Sequence, residues 1–148
     1  MITTREEYDE LLKRGVDALC DRRYPMEIGL RREIQRERFG KNDAEGNAKF
    51  YAYCLKNLPL VCEHCGRPIR LPSAYNVSHI ISRGSDARMS HDPRNVNILC
   101  VDCHFLWENT TTRSRMNPLF VEKNERRKEL LKKEYNEKTE TMDCREDA

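Results

Sequence analysis

The sequence predicts an α+β fold in which a small cysteine-stapled module with a pair of short strands is set between helical flanks. Three observations predict it. Hydrophobic residues make up 38% of the 148 and charged residues 35%, so the apolar core is small for the length. Two Cys-x-x-Cys pairs, Cys62-Glu63-His64-Cys65 and Cys100-Val101-Asp102-Cys103, stand far apart in the chain. Apolar residues recur at three- and four-residue steps ahead of the first pair, whereas short β-branched runs lie between the pairs.

Taken in order, the elements divide the chain into a helical region at 1–58, a module at 59–117 and a charged helix with its tail at 118–148. From about Thr4 to Arg23, Tyr8, Leu11, Leu12, Val16 and Leu19 mark one buried helical face, with Thr4 and Glu7 as a capping pair. A second helix is expected from near Pro25 to Phe39, ended by Gly40. It is dense in arginine. Arg31, Arg32, Arg36 and Arg38 alternate with Glu33 and Glu37, which reads either as a solvated face with intrahelical ion pairs or as a phosphate-contacting arm through Arg32 and Arg36. A third helix, about Ala44 to Asn57, turns Phe50, Tyr51, Cys54 and Leu55 inward and is closed by Pro59.

The module follows. Two cysteines two residues apart can face one cation, and two such pairs complete the tetrahedral sulfur site that zinc prefers, so Cys62, Cys65, Cys100 and Cys103 are assigned to a structural Zn2+. Gly66 allows the tight turn behind the first pair. Tyr75 to Ile81 and Asn95 to Leu99 read as partner strands, and a helix is expected from Cys103 to about Arg113 with Phe105, Leu106 and Trp107 on its apolar side. After Pro118, Val121 to Glu140 reads as a helix docked loosely by Leu130, Leu131 and Tyr135, and Thr141 to Ala148 as disordered. His64 and His91 read as structural, Trp107 as core, and Cys20, Cys54 and Cys144 as unpaired thiols.

The start of the chain shows no apolar signal segment and no run is long enough to span a bilayer, which points to a reducing cytoplasm and away from disulfides or a membrane. The formal charge is only +2, so a surface for nucleic acid depends on where the charges sit.

A bare zinc staple has no need of Ser78-His79-Ile80 or of Asp92-Pro93-Arg94-Asn95 inside its loop. The succession His79, Asn95, His104, threaded through the two cysteine pairs, resembles the HNH nuclease family, whose ββα-metal, treble-clef-like fold often carries such knuckles. The resemblance spans roughly residues 60–110. It implies an endonuclease that hydrolyses DNA phosphodiesters, with His79 as general base and Asn95 bracing the loop between the strands. His104 would be a ligand of a catalytic divalent ion, Mg2+ or another such as Mn2+ or Ni2+. Colicin-type members place a second histidine four residues further on, where this chain has Glu108, an additional ligand by inference.

The chain departs from the family at Ser78, where Asp or His usually supplies a ligand. Either His104 holds the ion with Glu108 and waters, or another carboxylate such as Asp92 takes over, or catalysis is lost. Phage recombination nucleases of similar pattern also have small residues there, and their Arg, Asp and Asn resemble Arg88, Asp92 and Asn95, which favours activity in a bacterial or phage-infected cell. The alternative is a non-catalytic zinc-dependent module that binds nucleic acid or protein.

Overall fold

A computed structural model of the protein describes the backbone of residues 1–146 and the side chains of residues 1–136. Helix α1 (Arg5–Lys13) begins at the expected cap, where the Thr4 hydroxyl accepts the Glu7 amide at 3.2 Å. It stops well short of Arg23. Gly15 turns to φ +85°, and the amides of Gly15 and Val16 reach back to the carbonyls of Leu12 and Leu11, which closes the helix by a left-handed cap. Ala18 and Leu19 are fully buried in the turn that follows, so the apolar spacing there reports burial and not helix.

Helix α2 (Ile28–Phe39) starts later than Pro25 because Met26 forms a parallel bridge with Ile2, leaving the Glu27 carboxylate to accept the Gly29 and Leu30 amides. Helix α3 (Ala44–Asn57) has the expected bounds, capped by Asp43. Tyr8, Ile34, Phe39, Phe50 and Tyr53 of these helices form a cluster that closes over Val77, Val96 and Ile98. Those three belong to the sheet.

Strands β1 (Val77–His79) and β2 (Val96–Ile98) pair antiparallel, with Val77 opposite Ile98, Ser78 opposite Asn97 and His79 opposite Val96. Both are shorter than the sequence suggested. A turn of 3-10 helix occupies Ala74–Asn76, and the Asn95 side chain takes the Ile81 amide that a longer ladder would use. Because side chains alternate along a strand, His79 and Ser78 point to opposite faces.

Helix α4 (Val101–Glu108) starts inside the second knuckle and ends before the expected Arg113. The reason lies in its last carbonyls: Asn109 Nδ2 takes that of Phe105, Thr112 Oγ1 that of Leu106 and Arg113 Nε that of Trp107. Side chains replace the next helical amides.

Helix α5 (Pro118–Glu146) begins with proline in its first turn and runs past Glu140, so the disorder expected from Thr141 does not hold through Glu146; residues 119–146 contain neither Gly nor Pro to break it. Asp147, Ala148 and the side chain of Cys144 lie outside the described residues. Nor is its docking loose. Phe120, Asn124, Leu131 and Tyr135 are buried, while Leu130, expected to dock, is 66% exposed. Arg127 reaches under the sheet to donate to the carbonyls of Arg94 and Val96 and to Asn97 Oδ1, so α5 is hydrogen-bonded to β2. Among the described residues no helix is long and apolar enough to cross a membrane.

Candidate functional site

The four cysteines converge. Their sulfurs lie within 4.8 Å of one another, and Cys65 Sγ stands 3.8 Å from Cys100 Sγ. Thiolates held at the ~2.3 Å distance of tetrahedral zinc stand about 3.8 Å apart, so the donor set fits that ion. Electrostatics agree. Burial opposes ionisation of Cys62, but the amides of Cys65, Cys100 and His64 aimed at its sulfur bring the thiol down to about 7. Burial and the neighbouring sulfurs push Cys100 and Cys103 up instead, so a cation is needed to hold these two as thiolates.

His64 supports this cluster. Its Nε2 accepts the Asn117 amide at 2.8 Å, which leaves the proton on Nδ1 to be donated to Cys103 Sγ at 3.2 Å. Its ring also lies edge-on to Phe120, with centroids 5.1 Å apart. The histidine therefore ties the knuckles to the start of α5.

His79 sits at the end of β1 with its Nε2 2.8 Å from the Ser90 carbonyl. A carbonyl only accepts, so Nε2 carries the proton and Nδ1 keeps the free lone pair. Burial lowers the imidazole's pKa, with Arg83 and His104 adding to the effect and the Ser90 carbonyl and Glu108 opposing it; the ring is neutral near pH 7. Trp107 Nε1 donates to the His79 carbonyl at 3.1 Å, which gives this core residue a second task.

Asn95, fully buried, staples the loop behind His79. Its Oδ1 accepts the Ile81 amide, and its Nδ2 donates to the carbonyls of Ile81 and Met89. Both termini of the 81–95 loop are thereby fixed, and with them Ser90.

His104 is oriented in the same manner. Nδ1 donates to the Tyr75 carbonyl at 2.5 Å, so Nε2 is the free nitrogen, and it lies 3.0 Å from Glu108 Oε1. A lone pair facing a carboxylate requires a proton or a cation between them, and an imidazole fixed through its other nitrogen is the usual arrangement of a metal ligand. The pair fits a divalent ion. Ser78, on the opposite face of the strand, is fully buried with no hydrogen-bond partner for its hydroxyl, and contributes nothing to this side.

Asp92 does not replace it. The carboxylate is fully buried, 2.8 Å from Arg94 Nη2, 3.3 Å from Arg31 Nη1 and 2.8 Å from the Tyr135 hydroxyl, which donates to it. Burial alone would raise its pKa, but the two guanidinium groups hold it well below the usual carboxylate range. Its coordination is saturated inside the fold. Arg31 accordingly leaves the arginine run read as one solvated or phosphate-contacting face: it is 2% exposed and also donates to the Ala18 and Leu19 carbonyls. Arg38 is likewise engaged, on Asp17. Arg36 is exposed and Arg32 half-buried beside Tyr135; both line a shallow basic cleft of about 280 Å³ with Lys41 and Arg88.

Sequence reasoning missed this network and the reach of Arg127, because Arg31, Tyr135 and Arg127 come from segments far from Asp92 and β2 and carry no spacing signal. Two clefts flank His79. One, of about 510 Å³, holds His104, Glu108, Tyr51, Tyr75 and Arg83, and the other, of about 320 Å³, holds Trp107, Arg113 and two lysines of α5.

No curated protein and no solved structure matches the chain significantly. Residues 62–106 do match the family model described as HNH endonuclease, from the first knuckle into α4, and the matched stretch contains all four clustered cysteines.

Proposed function

We propose that the protein is a metal-dependent endonuclease that hydrolyses DNA phosphodiesters, with His79 as its general base. The observation that carries this is the hydrogen bond from His79 Nε2 to the Ser90 carbonyl, which leaves Nδ1 free on a neutral ring in a cleft shared with His104 and Glu108. Nδ1 takes a proton from the attacking water, the water oxygen adds to phosphorus as the bond to the leaving sugar oxygen breaks, and that oxygen is protonated by solvent. His104 Nε2 and Glu108 Oε1 would hold the divalent ion, Mg2+ or a substitute such as Mn2+ or Ni2+. When bound, that ion offsets charge on the phosphoryl and leaving oxygens. Asn95 does no chemistry and keeps the loop that carries Ser90 in place. Arg32 and Arg36 bind DNA phosphates away from the scissile bond.

The buried Ser78 favours one other reading, a zinc-dependent module that binds DNA without cutting it. Plasmid nicking with Mg2+, Mn2+ or Ni2+ beside an EDTA control separates the two. Activity is expected with at least one ion, and His79→Ala should lose about two to four orders of magnitude of rate while keeping zinc and DNA binding. Cleavage by His79→Ala at the unaltered rate rejects the base assignment, and binding without cleavage under any ion selects the second reading.

A further inference from the structure

The two clefts beside His79 adjoin each other, with His79, Ser82 and Glu108 lining both. The far wall of the second cleft comes from outside the family match: Arg113 follows α4, and Lys128 and Lys132 stand one helical turn apart on α5.

These three cations are placed by the fold. Arg113 lies with its guanidinium carbon 3.9 Å from the centre of the Trp107 ring and its Nε 2.6 Å from the Trp107 carbonyl, and that same tryptophan holds the His79 carbonyl. The lysines sit on the stretch of α5 bounded by Arg127, bonded to β2, and Tyr135, bonded to Asp92. Lys128 is half-buried, and neither ammonium makes an ion pair among the described residues. Of the carboxylates in this cleft, Asp86 is engaged by Arg88 at 2.7 Å and Glu108 by His104 at 3.0 Å, leaving Glu125 alone against three cations. A pair of adjoining clefts, anion-seeking on one side of a base and metal-ligating on the other, suits a polyanionic strand laid across both.

We infer that Arg113, Lys128 and Lys132 form a phosphate-binding wall that seats the nucleic-acid backbone next to the scissile position, so that α5 belongs to the substrate-binding surface. The identity of the substrate rests on the nuclease reading, but binding at the wall does not require cleavage.

The test measures DNA affinity against salt concentration in a His79→Ala background without added divalent ion, so that no cutting intervenes. Lys128→Ala with Lys132→Ala should reduce the slope of log affinity against log salt by about 2, close to one unit per lost phosphate contact, whereas Lys123→Ala with Lys133→Ala, two exposed lysines of the same helix, should leave the slope unchanged. In the protein with His79 restored, the first pair should raise KM about tenfold with kcat within a factor of about three, the pattern of lost ground-state binding. Equal slope changes from both pairs, or none from Lys128 and Lys132, overturn the wall. A selective slope change in a protein that never cleaves would keep the wall and reject the nuclease reading instead.

Discussion

Cys103 and His104 are neighbours on α4 and yet serve two different sites. Successive residues of a helix are turned by about 100°, so the Cys103 sulfur points back among the other three thiols while the His104 ring points into the cleft. The first site is closed: four soft donors, three of them buried, within 4.8 Å of one another. The second is open, with one imidazole and one half-exposed carboxylate 3.0 Å apart. On the proposed reading, the difference separates a metal that holds a fold from one that would meet a substrate, since a closed tetrahedral shell leaves no position for one. One helix thus carries both, and the structural site aims the other.

The sharpest way to break this comparison is to open the closed site. Cys103→Ser should lose bound zinc and unfold the module, because the two knuckles join segments far apart in sequence and the small cluster of Leu99, Trp107 and Phe120 depends on their closure. Zinc content by mass spectrometry and helical content by circular dichroism check it. A fully folded, zinc-free Cys103→Ser would show that the sulfur cluster is not structural.

A second experiment separates a saturated carboxylate from an available one. Asp92→Ala leaves Arg31 and Arg94 buried without their counter-charge and is expected to destabilise the fold by about 3–5 kcal/mol, read from the denaturant midpoint. Glu108→Ala, at a half-exposed position, should change stability by less than about 1 kcal/mol. A reversed order would mean that the two carboxylates had been assigned to the wrong tasks.

These contrasts also mark what a sequence can tell. The cysteine pairs were legible because their chemistry comes with a spacing, and α3 was legible because a cap and a proline bracket it. The end of α1 was not, since Val16 and Leu19 keep helical spacing through a turn set by Gly15. Helix α5 was undervalued because its contacts are polar: Arg127 to backbone carbonyls, Tyr135 to Asp92. A charged residue that satisfies a buried acceptor looks, in sequence, like one that faces water. Asp92 was open to misreading for the same reason.

Next in size come the open site's own donors. His104→Ala should weaken the activating divalent ion about 10- to 100-fold, so added metal restores part of the rate, whereas no metal concentration should restore His79→Ala. Titration of activity against Mn2+ checks both. Identical responses would merge the two histidines into one role and remove the distinction between base and ligand.

The smallest expected effect is a displacement on the pH axis. Burial, Arg83 and His104 favour the neutral form of His79, against the Ser90 carbonyl and Glu108, so its folded pKa lies below the ordinary 6.5. The unfolded chain therefore binds more protons than the folded one as pH falls through that window, and His79's contribution to stability is complete above 6.5 and diminishes below it. Catalysis follows the same group: kcat/KM at saturating metal should hold level at neutral pH and fall only as pH drops through the lowered pKa. Arg83→Gln removes a charge that lowers this pKa, so the acid limb should move up. If the limb lies above 6.5, or if Arg83→Gln leaves it in place or moves it down, the titrating group is not a buried His79 facing that charge.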